Sequence, residues 1–111
     1  MTKNPKAHWK VLEREAVFVK QVRTLVDIVA SAQKVRAENA CDPDSNIPDS
    51  VCAQEVALWE SRLRNTFGLI YLQADCIVDA DEWVAFDDLK KRVKKVMPEY
   101  VKKLPKIKSP V

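Results

Sequence analysis

The sequence predicts an all-α fold, and three observations carry that prediction. A chain of 111 residues holds a single glycine, Gly68. Turns of type II, I′ and II′ need positive φ, which glycine supplies most cheaply, so the many tight turns of a β-sandwich or barrel have no material here. Apolar residues recur at spacings of three and four along three stretches, the period of an amphipathic helix. Prolines and a cluster of Asp, Asn and Ser interrupt those stretches. The expected architecture is a small helical bundle of three main helices. Two are long and antiparallel, and the third is amphipathic. Residues 1–97 form this single domain, followed over 98–111 by a short amphipathic segment and a basic C-terminal tail.

The first helix is expected from residue 7 to 37 or 39. On a helical wheel Val11, Phe18, Val19, Val22, Leu25, Val26 and Val29 share one arc, with Glu13, Lys20, Arg23, Asp27, Lys34 and Glu38 opposite. Valine is only a middling helix former, so packing has to hold this element. Trp9 lies off the stripe and is expected to cover the end of another helix. Glu15 and Gln33 intrude on the apolar arc, as a partner contact or a frayed rim.

Residues 40–50, ACDPDSNIPDS, form the clearest break in the chain. The segment is long for a connection in a compact helical domain. A spacer that lets two long helices run antiparallel is the favoured reading over a functional or mobile loop.

The second helix starts at Asp49 or Ser50, either a good N-cap, and runs to 74. Cys52, Val56, Trp59, Leu63, Thr66, Phe67, Ile70 and Ala74 make a seam for helix packing. A second, thinner stripe, Val51, Leu58, Leu69 and Leu72, lies on the other side with Asn65 and Gly68 beside it. A helix apolar on two faces is central in its bundle or shared with another molecule. Three helices cannot cover both faces of the middle one, so Val51, Leu58, Asn65, Gly68, Leu69 and Leu72 are the candidate partner or dimer interface. Gly68 costs up to about 1 kcal/mol in a helix, which a close helix approach or a kink would explain.

The third helix opens on a capping box, Asp79 to Glu82. Its acids come early and its bases late, complementing the helix dipole, and Asp87–Lys91 and Asp88–Arg92 supply i,i+4 pairs. Phe86, Leu89, Val93 and Val96 or Met97 form its buried stripe, with Trp83 at the margin. Pro98 ends it or begins a short helix carrying Tyr100, Val101 and Leu104, a unit read as a lid over one end of the bundle in preference to a docking peptide. From Pro105 the residues KIKSPV are expected to be an extended tail.

Charge is sorted into blocks: residues 1–40 carry +4, residues 41–89 carry −9 and residues 90–111 carry +8, which the overall +3 conceals. Such polarity steers partners and other copies of the chain. Lys90, Lys91, Arg92, Lys94, Lys95, Lys102, Lys103, Lys106 and Lys108 form a candidate basic binding patch. A solvated helix end and solubilising tail ranks first for it, contact with an acidic protein surface second, and phosphate binding third. No helix-turn-helix signature or aromatic-rich RNA signature accompanies the lysines.

Chemistry is scarce. The only histidine, His8, stands in a polar N-terminal stretch, and no nucleophile elbow, P-loop, dinucleotide fingerprint or H-E-x-x-H occurs. An EF-hand begun at Asp79 would need glycine where Val84 stands and glutamate where Lys90 stands. Three scattered cysteines, Cys41, Cys52 and Cys76, lack zinc spacing and fit reduced thiols, with a Cys41–Cys52 bridge only if the chain is exported. The start, MTKNPKAHWK, has no signal-peptide core, and the longest apolar run, FGLIYL at 67–72, is too short for a membrane span. The expectation is therefore a cytoplasmic, intracellular protein without catalytic residues, cofactor, metal or membrane. It is read as a non-enzymatic binding protein, an adaptor or inhibitor that occupies a surface of a protein partner and forms a homodimer. A viral or mobile-element source fits a protein of this kind. The alternative is a nucleic-acid-associated protein contacting phosphates through residues 90–108.

Overall fold

The structure, a computed structural model, describes residues 5–72, 74 and 80–107, with side chains for 19–72, 74, 81 and 83–107. The readings of His8, Trp9, Val11, Glu15, Phe18, Cys76, Lys108 and the Asp79–Glu82 capping box lie outside the described side chains. Among the described residues the chain is all-α. Four helices follow in order: α1 (Pro5–Cys41), α2 (Asp49–Leu72), α3 (Ala80–Val96) and α4 (Pro98–Lys102), with no strand.

Pro5 opens α1, where a missing N–H costs nothing. The helix stops at Cys41 because Asp42 precedes Pro43, and the residue before proline is pushed out of the α region. The chain then reverses over 42–48 in a loop tied by its own polar side chains. The Asp42 carboxylate accepts from the Asp44 N–H at 2.9 Å, the Asn39 amide donates to the Ile47 carbonyl at 2.9 Å, and the Ser45 hydroxyl donates to the Asn39 side-chain oxygen. Arg36 of α1 clamps Asp49 of α2 with two parallel bonds of 3.0 Å. This fork–fork pair holds the Asp49 carboxyl below the usual carboxylate range. The connection is thus a hydrogen-bonded turn, and α2 runs back along α1.

The core forms where the apolar seams meet. Val22 and Val29 of α1, Leu63 and Phe67 of α2, and Val93 of α3 are fully enclosed. Cys52, Val56 and Ile70 join them along the expected seam of α2, with Phe86, Leu89 and Met97 on the α3 side. Phe67 stacks on Phe86 with ring centroids 6.2 Å apart and planes 6° from parallel, and Tyr71 and Trp83 tilt against Phe86 at 5.8 and 5.4 Å. Each such ring contributes roughly 1.5–3 kcal/mol by leaving water.

Gln33 has a different role from either expected for it. Its amide donates to Glu60 of α2 at 3.1 Å and to the Val96 carbonyl at 2.9 Å. The last carbonyls of a helix have no partner within it. Gln33 therefore caps α3 from α1 and joins three helices at one point.

Met97, outside the helical region at φ −138° and ψ 66° because proline disfavours the α conformation in the residue before it, separates α3 from α4. Val101 is buried, Leu104 and Ile107 pack on the same core, and the Tyr71 hydroxyl donates to the Pro105 carbonyl. The Tyr100–Leu104 unit thus folds down on the bundle. Described residues after Pro105 include Ile107, which is half-buried against the core rather than extended into solvent. Gly68 is also simpler than expected. A Cβ placed there would meet only the Tyr100 hydroxyl, at 3.9 Å, and its φ is not positive. Neither a close helix approach nor a strained turn requires glycine at this position.

Candidate functional site

The side chains facing α3 identify which flank of the α1–α2 pair that helix covers. Gln33 bonds to Val96, Arg23 lies close enough to Asp88 to lower its pKa, and Asp27 acts in the same way on Arg92 to raise it. At 100° per residue, Ile28, Ala32 and Val35 project from the other side of α1. There α1 and α2 leave a groove of about 410 Å³, lined by Ile28, Ala32, Val35, Ile47, Val51 and Trp59, with no residue of α3 or α4 among its walls. Ile47 and Val35 are each 53 % exposed.

Trp59 is the floor of this groove and is held on both sides by its own helix. Its indole N–H donates to the Glu55 carboxylate at 2.9 Å, one turn earlier, and the Arg62 guanidinium sits 4.9 Å from the ring centroid, one turn later. The ring is therefore fixed in one orientation, a carboxylate on one side and a cation on the other. Farther along the two helices, beside Arg62, lies a separate and more polar cleft of about 530 Å³ lined by Lys20, Gln21, Thr24, Leu25, Arg62, Asn65 and Thr66.

Next to the groove, on the outward face of α2, lies the stripe expected from the sequence. Val51, Leu58, Leu69 and Leu72 are 52, 45, 52 and 73 % exposed, and Asn65 is exposed between them. Val51 belongs to both surfaces. Gly68 separates from the stripe, since it is half-buried beneath Tyr100.

The basic patch is partly committed elsewhere. Lys91 pairs with Asp87 at 3.1 Å, Arg92 with Asp88 at 2.9 Å and Lys102 with Glu99 at 3.5 Å, while Lys90 lies 5.8 Å from the Tyr71 ring centroid. Lys94, Lys95, Lys103 and Lys106 have no ion pair among the described residues.

Among the described residues no cluster of three or more His, Cys, Asp or Glu is placed to hold a metal ion. Cys41 is free and exposed, and Cys52 is free and buried. No described helix is long and apolar enough to cross a membrane. Comparison with protein-family models, with curated proteins and with solved structures found no match.

The groove is the part of the site that sequence reasoning missed. Ile28, Ala32 and Val35 repeat at steps of four and three beside the main stripe of α1, so a signal was present. It widened the apolar arc without showing which edge α3 would leave open. Ile47, the lone large apolar residue of a polar loop, was a second signal.

Proposed function

We propose that this chain is a non-enzymatic binding protein, an adaptor or inhibitor, that takes an amphipathic helix of a protein partner into the groove between α1 and α2. The observation that carries this reading is the apolar flank opposite α3, with Trp59 as its floor. Contiguous exposed apolar surface on a small protein marks an interaction site more often than chance, and a fixed aromatic ring is the usual anchor of one. An apolar stripe on the incoming helix would lie over Ile28, Val35 and Trp59. Its acidic end would reach Lys20 in the separate polar cleft. The bundle arrangement and the basic C-terminal segment serve, in this reading, as the frame that keeps α3 off the binding flank.

Affinity capture from extract of the native cells, with nuclease treatment, tests the reading. Val35→Glu and Ala32→Glu place a charge in the groove without touching the core, and each should abolish capture of the same partner. Capture unaffected by both would refute it.

A second reading, phosphate contact by Lys94, Lys95, Lys103 and Lys106, is favoured by their lack of ion pairs among the described residues. Changing these four to Gln would then lower nucleic-acid affinity and flatten its salt dependence. The groove variants would leave that affinity unchanged.

A further inference from the structure

We propose that two copies of this chain associate through the outward face of α2, antiparallel, about a twofold axis at Leu58. The proposal concerns the outer stripe, which shares Ile47, Val51 and Glu55 with the wall of the groove, while Ile28, Ala32 and Val35 belong to the groove alone. Val51, Leu58, Asn65 and Leu72 recur every seven residues and all are exposed. That is the spacing at which one helix follows another, drifting only about 20° per repeat on a straight helix. A single polar residue such as Asn65 in an otherwise apolar seam selects among registers at some cost in stability.

The occupant is identified by charge and by register together. Glu55 and Arg62 are exposed, lie on one margin of the stripe, and are seven residues apart. In a parallel pair Glu55 would face Glu55 and Arg62 would face Arg62, two like-charge contacts. In the antiparallel pair each Glu55 faces Arg62 of the second copy. That same arrangement sets Leu58 against Leu58 at the axis, Val51 against Asn65, and Ile47 against Leu69. These four pairings share one register to within one residue, about 1.5 Å along the axis. Ile47, Val51, Leu58 and Leu69 are four of the seven large apolar side chains exposed among the described residues. One self-complementary register thus covers four exposed apolar residues and sets each Glu55 beside an Arg62 of opposite charge. An unrelated partner would have to reproduce that pattern, whereas a second copy carries it already.

Isologous contact of this kind repeats every interaction twice. The seam is narrow, below the area of a standard stable interface, so the pair should dissociate on dilution. Sedimentation equilibrium on the full-length chain should return a mass that rises from the 12.7 kDa of one chain to twice that value as concentration increases. Glu55→Arg alone, and Arg62→Glu alone, convert both salt bridges to like-charge pairs and should weaken association by roughly tenfold to a hundredfold. The double variant Glu55→Arg/Arg62→Glu restores opposite charges and should return affinity close to that of the wild type. That rescue also separates loss of contact from loss of fold, which far-UV circular dichroism checks for each single variant. Leu58→Cys should cross-link to itself under mild oxidation, in a background with Cys41, Cys52 and Cys76 changed to Ala. A wild-type chain that stays monomeric throughout, association indifferent to the single reversals, or a double variant as weak as the singles would each overturn the proposal. Loss of partner capture by the groove variants, with self-association intact, would be a separate result.

Discussion

Removing the two hydrogen bonds made by Gln33 should destabilise the junction of α1, α2 and α3. Gln33→Met keeps the length and volume of the side chain while deleting both donors. The bond to the Val96 carbonyl, 2.9 Å long and part-buried, joins neutral groups and is worth about 1 kcal/mol. The bond to Glu60, at 3.1 Å, is charge-assisted. Partial exposure lets water replace it, which brings its net value down to about 0.5–1 kcal/mol. Methionine and glutamine have similar helix propensity, so backbone terms cancel. The total is about 1.5–2 kcal/mol, which for a domain of this size lowers Tm by roughly 6–10 °C. Urea unfolding followed by far-UV circular dichroism measures it, and the slope m should not change. Glu60→Ala should cost less alone, and the double variant should show a coupling of about 0.5–1 kcal/mol with Gln33→Met. A Gln33→Met protein within about 0.3 kcal/mol of the wild type would show that α1 does not cap α3, and the junction of three helices at Gln33 would have to be abandoned.

Gly68→Ala should stabilise the chain by about 0.5–1 kcal/mol in thermal or urea unfolding, because the new methyl group has room beneath Tyr100 and glycine's backbone freedom is lost. Phe67→Ala empties the centre of the aromatic cluster and should cost about 3–5 kcal/mol by the same measurement. Asp49 has its pKa lowered from 3.8 by hydrogen bonding to Arg36, and a depressed carboxyl contributes stability that is present above 3.8 and lost as pH falls through the lowered folded value. Arg36→Gln should therefore flatten the acid limb of the stability–pH curve below 3.8, measured by urea unfolding across that range. Burial raises the pKa of Tyr71, and of Tyr100, above 10.0. Their contribution is full below 10.0 and is lost as pH rises through the folded values. As these are the only two tyrosines, absorbance at alkaline pH should show both ionising late and together with loss of helix.

Much of this fold could be read from the sequence, for physical reasons that also explain what could not. The seam of α2 through Cys52, Val56, Leu63, Phe67 and Ile70 was legible because a helix must bury one face, and steps of three and four name that face. The Phe86, Leu89, Val93 stripe of α3 and the pairs Asp87–Lys91 and Asp88–Arg92 follow from the same periodicity. Contacts between elements were illegible. Gln33 looked like a fault in an apolar arc because its partners, Glu60 and Val96, are distant in sequence. Tyr71 looked like one more apolar residue until the chain near Pro105 folded over it. The helix cost of Gly68 suggests a close approach or a kink, and the open space beneath Tyr100 removes the first.

The position of α3 decides what this molecule can offer to others. The apolar arc of α1 is broad enough to receive a helix on either flank of its contact with α2: Val19 and Val26 on one, Ile28, Ala32 and Val35 on the other. Hydrophobic burial is non-directional and does not choose between them. The directional interactions do choose: the Gln33 amide to Val96, and the attraction of Arg23 for Asp88 and of Asp27 for Arg92, all lie on one side. Polar pairing of modest strength thus fixes α3 on one flank and leaves the other apolar and open. The same reasoning applies to the outward face of α2. In the proposed dimer, Glu55 and Arg62 would select an antiparallel neighbour for a stripe whose hydrophobicity alone would accept any helix in any direction. In the fold, as in the proposed dimer, apolar burial provides the driving force and a few charged or amide groups determine which surface meets which.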